Sequence, residues 1–153
     1  MVLAGFGFGG FIYTALARQM LGRLGLYKLI FAGGVVAGLG LALLALGTTW
    51  PREMATFVIV GVGFYMIHNS LQTQATELAP LNRGSAVAMH SFFMFLGQAF
   101  GPILYGVGLA AFGTSATLAL AGMLMAILGV ATAWGLKARS NVPEIAVPAG
   151  TQR

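Results

Sequence analysis

Four stretches of the chain carry no charged side chain: residues 1–17, 29–51, 54–76 and 84–136. A helix needs about 20 residues to cross a bilayer, so each of the first three stretches reads as one crossing. As one continuous helix the fourth would be roughly 80 Å long, against a hydrocarbon core of about 30 Å. It must turn back, and Gly113-Thr114-Ser115 is its natural break. The pattern therefore predicts five transmembrane helices, at about 2–17, 29–48, 54–76, 85–112 and 115–136. The runs are apolar on every face rather than alternately so, which disfavours membrane strands. The predicted fold class is an all-α membrane protein. Its transmembrane domain spans residues 1–139, and residues 140–153, with Pro143 and Pro148 and no apolar period, form a disordered cytoplasmic tail.

Lysine and arginine placement orients these helices. Arg18, Arg23 and Lys28 fall between the first two, Arg83 between the third and fourth, and Lys137, Arg139 and Arg153 after the fifth. Arg52 alone falls on the other side, which predicts an outside N-terminus, a cytoplasmic C-terminus and residence as a multi-pass protein of the cell (inner) membrane. Trp50 and Trp134 stand at helix ends, where interfacial indoles belong. Ala15-Leu16-Ala17 imitates a signal-peptidase site, but no basic region precedes it.

Composition narrows the chemistry. Of 153 residues 58% are apolar and 7% charged, against about 25% charged in a soluble globular protein, too few to coat a water-facing surface. With no cysteine and no aspartate, thiol catalysis, disulfides, paired aspartates and calcium loops all fall away. The net charge of +5 sits at the ends of apolar runs and forms no nucleic-acid patch. A metal held by His68, His90 and Glu77 would need ligands at mismatched depths, so neither metal nor cofactor is expected, and no enzymatic activity.

Gly5-Phe6-Gly7-Phe8-Gly9-Gly10 contains a literal dinucleotide fingerprint, but inside an apolar helix its glycines read as close-packing positions. Gly34 and Gly38, and Gly97 and Gly101, repeat the four-residue spacing. In the third helix Tyr65, His68, Asn69, Gln72, Thr73 and Thr76 share an arc of about 140°. Polar groups at membrane depth face protein or water, so this arc predicts a cavity wall, with interhelical hydrogen bonding as the alternative. His68 reads equally as a neutral structural histidine or as a proton carrier. The fourth helix carries His90, Met94, Gly97, Gln98, Gly101, Tyr105 and Gly108 on one stripe, and Pro102 predicts a kink there. Gln98 is placed to share the cavity, with Met94 as an adaptable apolar contact, while His90 reads as a packing residue. Glu77 ends a helix where the macrodipole disfavours an acid. It is expected either to latch onto Arg83 or the Arg18/Arg23 cluster, or to be solvated.

These residues resemble the last five spans of a major facilitator superfamily transporter, of the twelve-span drug:proton antiporter or sugar-efflux kind. Arg18-Gln19-Met20-Leu21-Gly22-Arg23-Leu24-Gly25-Leu26-Tyr27-Lys28 is similar to the loop between the eighth and ninth spans, with Arg23, Gly25 and Lys28 at its basic and glycine positions. Gly22 stands where the family has an acid, and Arg18 where it has a leading glycine. The run from Asn69 to Pro80, followed by Arg83-Gly84, resembles the tenth span and its exit loop. Gly97-Gln98-Ala99-Phe100-Gly101-Pro102 resembles the eleventh.

The resemblance implies the C-terminal portion of a secondary-active transporter, exporting a small-molecule substrate by alternating access, with a proton as the coupling ion. Tyr65, His68, Asn69, Gln72, Met94 and Gln98 would line the substrate cavity. Arg23, Gly25, Lys28, Glu77 and Arg83 would form the cytoplasmic gate, and Gly97, Gly101 and Pro102 the packing and kink positions. It also implies a missing N-terminal half, or another chain supplying those helices and most protonatable partners, so that transport by this chain alone is not expected. The alternative is a small non-transporting membrane protein that assembles with a partner through its glycine faces.

Overall fold

The computed structural model describes residues 3–47 and 49–140, and they form helices α1 (Ala4–Leu44), α2 (Trp50–Leu78) and α3 (Arg83–Ser140). All three are long and apolar enough to cross a membrane, and no strand occurs among the described residues. The expected tail lies outside the described residues except at its start, where α3 continues to Ser140.

Two glycines interrupt this helical backbone. Gly25 inside α1 has φ 72° and ψ 167°, and Gly113 inside α3 has φ 76° and ψ 174°. Only glycine occupies that region at low cost, because a Cβ there collides with the backbone. Neighbours show what happens at Gly25. Before it, Gly5 abuts Met54 and Gly9 abuts Val58, so α1 and α2 run parallel. After it, Gly33 abuts Met66 and Gly40 abuts Val60, so they run antiparallel. The chain therefore reverses at Gly25, and both halves of α1 lie along the same helix. Residues 18–28, expected as a loop, are helical apart from that single residue.

The reversal at Gly113 brings Gly108 against Thr117. Beyond it, α3 packs on the second half of α1. A Cβ built on Gly34 would stand 2.6 Å from the Gly129 Cα, and one built on Gly38 would stand 2.6 Å from the Gly122 carbonyl oxygen. Such backbone approach suits association in lipid, where small residues let helices close without a hydrophobic driving force. Gly97 and Gly101 differ: nothing lies within 4 Å of a Cβ built on either. Pro102 is exposed, and Gly113 is the non-helical position recorded inside α3.

At the other end of α2, Pro51 occupies the first turn, where its missing N–H is no loss, and Glu53 complements the helix dipole. Leu29, Ile30 and Met66 are fully buried, and Tyr13 and Met66 join Leu29 in a core between α1 and α2. By contrast, the first half of α3 exposes Phe92, Phe93, Phe95, Phe100 and Leu104, apolar groups that suit lipid or a partner helix rather than water.

Candidate substrate cavity

A cavity of about 1080 Å³ lies among all three helices, with Phe6 from α1, Phe64, Tyr65 and His68 from α2, and His90, Phe93, Met94, Gly97 and Gln98 from α3. Met125 and Leu128, beyond the Gly113 reversal, complete its apolar wall. Phe93, Gly97 and Gln98 line it yet are themselves exposed, so it is a recess with an open side.

A chain of ring contacts crosses this recess. Phe6 meets Phe64 at 5.3 Å and Tyr65 at 5.8 Å between centroids. Phe64 is edge-on to Tyr65 at 5.5 Å and stacks on His68 at 5.5 Å with 8° between planes. His68 in turn stands 5.3 Å from His90, joining α2 to α3. Offset and edge-to-face pairs of this kind hold large side chains in fixed relative positions. His90 Nε2 is buried and has no hydrogen-bond partner. An imidazole nitrogen left so at the wall of a largely apolar recess is a group for a ligand to satisfy.

Among the residues singled out in the sequence, Tyr65, His68, Met94 and Gln98 line this cavity together. Asn69 lines a second, smaller hollow between α1 and α2, with Ser70 and Thr73. Gln72 is half-buried and lines neither of the two. The polar arc of α2 is thus divided: its two edges look into different spaces, with Gln72 between them. Thr73 and Thr76 donate their hydroxyls back to Asn69 O at 2.9 Å and Thr73 O at 2.7 Å, so part of the arc's polarity is absorbed by its own helix. His90, read as a packing residue, does pack on His68, and it also lines the cavity. Phe6, Phe64, Phe93, Met125 and Leu128 were not singled out at all. Phe64, one turn before His68, carries a findable signal by its spacing; the others read like any lipid-facing residue.

Of the residues assigned to a gate, Arg23 and Lys28 are exposed on either side of the Gly25 reversal. Glu77 and Arg83 are exposed at the facing ends of α2 and α3, and Glu77 forms no ion pair among the described residues. No group of three or more histidine, cysteine, aspartate or glutamate side chains placed to hold a metal occurs among the described residues.

Long apolar helices, folded back on one another around a recess large enough for a solute and lined without a fixed charge, define a multi-pass membrane protein of the transporting class. The chain belongs to the Major Facilitator Superfamily, whose family model matches residues 1–152. No curated protein and no solved structure matches the chain. Members of the superfamily are transporters rather than enzymes, so the surroundings of this chain are a lipid bilayer and its ligand is a small-molecule substrate.

Proposed function

We propose that this chain forms one wall of a proton-coupled efflux pathway for small, largely apolar molecules, working by alternating access in the cell (inner) membrane. The observation that carries the reading is the aromatic recess with the His68–His90 pair at its centre. Its lining holds no carboxylate and no lysine or arginine, and its titratable groups are Tyr65, His68 and His90. Histidine is the side chain that changes charge near neutral pH, and two imidazoles this close do not both carry a proton at low cost. The two rings, 5.3 Å apart, therefore offer one shared position for a proton beside the space a solute would enter. That shared site provides differential binding, which coupled transport requires. The exposed flank at Phe93, Gly97 and Gln98 supports further helices closing the pathway, from this polypeptide or another.

In this reading Tyr65, His68, Met94 and Gln98 contact substrate, with His90 beside them, and Gln72 stands aside. Arg23, Gly25, Lys28, Glu77 and Arg83 cluster at the cytoplasmic ends as the gate. The halves of α1 on either side of Gly25 and those of α3 on either side of Gly113 cross separately, giving five crossings with the N-terminus outside.

The test is proton flux in inverted vesicles carrying the chain together with the helices that complete its pathway, acidified inside, as a panel of lipophilic solutes is added. A solute that discharges the gradient identifies the substrate class. Gln98→Leu and His68→Gln then reduce the response by about tenfold or more, the loss expected for one polar contact to a solute. Gln72→Leu leaves it unchanged. Equal responses from normally inserted Gln98→Leu and native chains overturn the cavity assignment.

A further inference from the structure

A second hollow, of about 260 Å³, lies between the first half of α1 and α2. It is separate from the large recess and shares no lining residue with it. Tyr13 and Arg18 come from the first half of α1, Asn69, Ser70 and Thr73 from one face of α2, and Leu26 reaches in from beyond the Gly25 reversal. No carboxylate lines it. The volume is below the ~300–1,000 Å³ of drug-sized pockets but ample for a phosphate or carboxylate group.

The polar groups here are poorly satisfied. Ser70 is 3% exposed, yet its Oγ makes no hydrogen bond. Tyr13, 5% exposed, places its hydroxyl beside Ser70 and Asn69, but no bond closes on Ser70 Oγ. The Thr14 and Thr73 hydroxyls are spent on Gly10 O and Asn69 O, both at 2.9 Å. Arg18 forms no ion pair among the described residues. Arg18 and the unpartnered Ser70 hydroxyl, with Tyr13 and Asn69 beside them, therefore border one space that has no carboxylate on its wall.

A buried hydroxyl without a partner is costly, and an arginine fork suits oxyanions above other ligands. We infer that this hollow binds an oxyanionic group, phosphate or carboxylate, with Arg18 supplying charge and Ser70, Tyr13 and Asn69 supplying hydrogen bonds. The group has two available sources: the head group of an anionic phospholipid, or a free anion from solution.

Two measurements on the purified chain in detergent separate the sources. One adds phosphatidylglycerol or phosphatidylcholine to delipidated protein and counts retained lipid by native mass spectrometry. The other follows thermal unfolding in inorganic phosphate against chloride at equal ionic strength. One equivalent of phosphatidylglycerol retained over phosphatidylcholine identifies a lipid head group, and a Tm rise in phosphate identifies a soluble anion; either supports the site. Arg18→Gln weakens the effect about tenfold, as loss of a charged hydrogen-bonding partner does, while Arg23→Gln leaves it intact. Ser70→Ala removes the unpartnered hydroxyl, so the ligand-free Tm rises or holds while anion binding weakens, a combination that a purely structural serine does not give. The inference is overturned if neither anion binds, if Arg23→Gln costs as much as Arg18→Gln, or if Ser70→Ala binds as the native chain does.

Discussion

His90 joins two demands at one atom. Its Nε2 is buried without a partner, which destabilises the fold, and it stands in the recess where a solute or a shared proton would repair the deficit. His90→Leu should therefore leave thermal stability equal to or above that of the native chain, while lowering solute-driven proton flux by about tenfold or more. A fall in Tm with unchanged flux would make His90 a packing residue after all. The polar groups that line the recess, Tyr65, His68 and Gln98, stand out in the sequence because polarity at membrane depth is expensive and so carries information. Phe6 and Phe93 are not, since a phenylalanine facing a cavity and one facing lipid satisfy the same solvation rule. Asn69 and His68 are neighbours in sequence, and helix periodicity alone did not reveal that a boundary between two cavities falls between them.

At the scale of the helix, glycine plays two opposite parts. Gly25 and Gly113 have open space around a built Cβ, so their requirement is conformational, set by φ 72° and φ 76°. Gly25→Ala and Gly113→Ala should each cost about 1–3 kcal/mol of backbone strain, read as a lowered unfolding midpoint in detergent titration. An unshifted midpoint would mean that the reversals do not depend on that conformation. Gly34 and Gly129 show the reverse pattern: helical dihedrals, but backbone contact across the interface of α1 and α3. Gly129→Leu forces those helices apart and should cost about 1–3 kcal/mol or more, with Gly97→Leu, which meets open space, as its neutral counterpart in the same titration. The charge-free runs and the break near Gly113 could be read from apolar length alone. That the segment 18–28 would stay helical around one glycine could not, because its cations marked an interface without revealing how tightly the chain turns there.

For the whole molecule, length decides how many times the chain crosses. At ~1.5 Å per residue, α1 with its 41 residues would extend about 60 Å if straight, twice a hydrocarbon core of about 30 Å. Folding at Gly25 halves that length, and in the proposed five-crossing reading each half then suits the bilayer, as do the halves of α3 about Gly113. The absence of cysteine makes this directly measurable, since any introduced thiol is the only one. With five crossings, a membrane-impermeant maleimide applied to intact cells should label Thr49→Cys and Thr114→Cys. Gly22→Cys and Asn82→Cys should react only after the cells are opened. All four positions are exposed, so a silent site reports depth rather than burial. Three straight crossings give a different pattern: Gly22→Cys and Thr114→Cys would sit in hydrocarbon and resist labelling from either side. Labelling of Asn82→Cys in intact cells with Thr49→Cys protected would invert the orientation. That outcome would put Arg23, Lys28 and Arg83 outside, against the usual distribution of lysine and arginine, and would move the proposed gate to the external face.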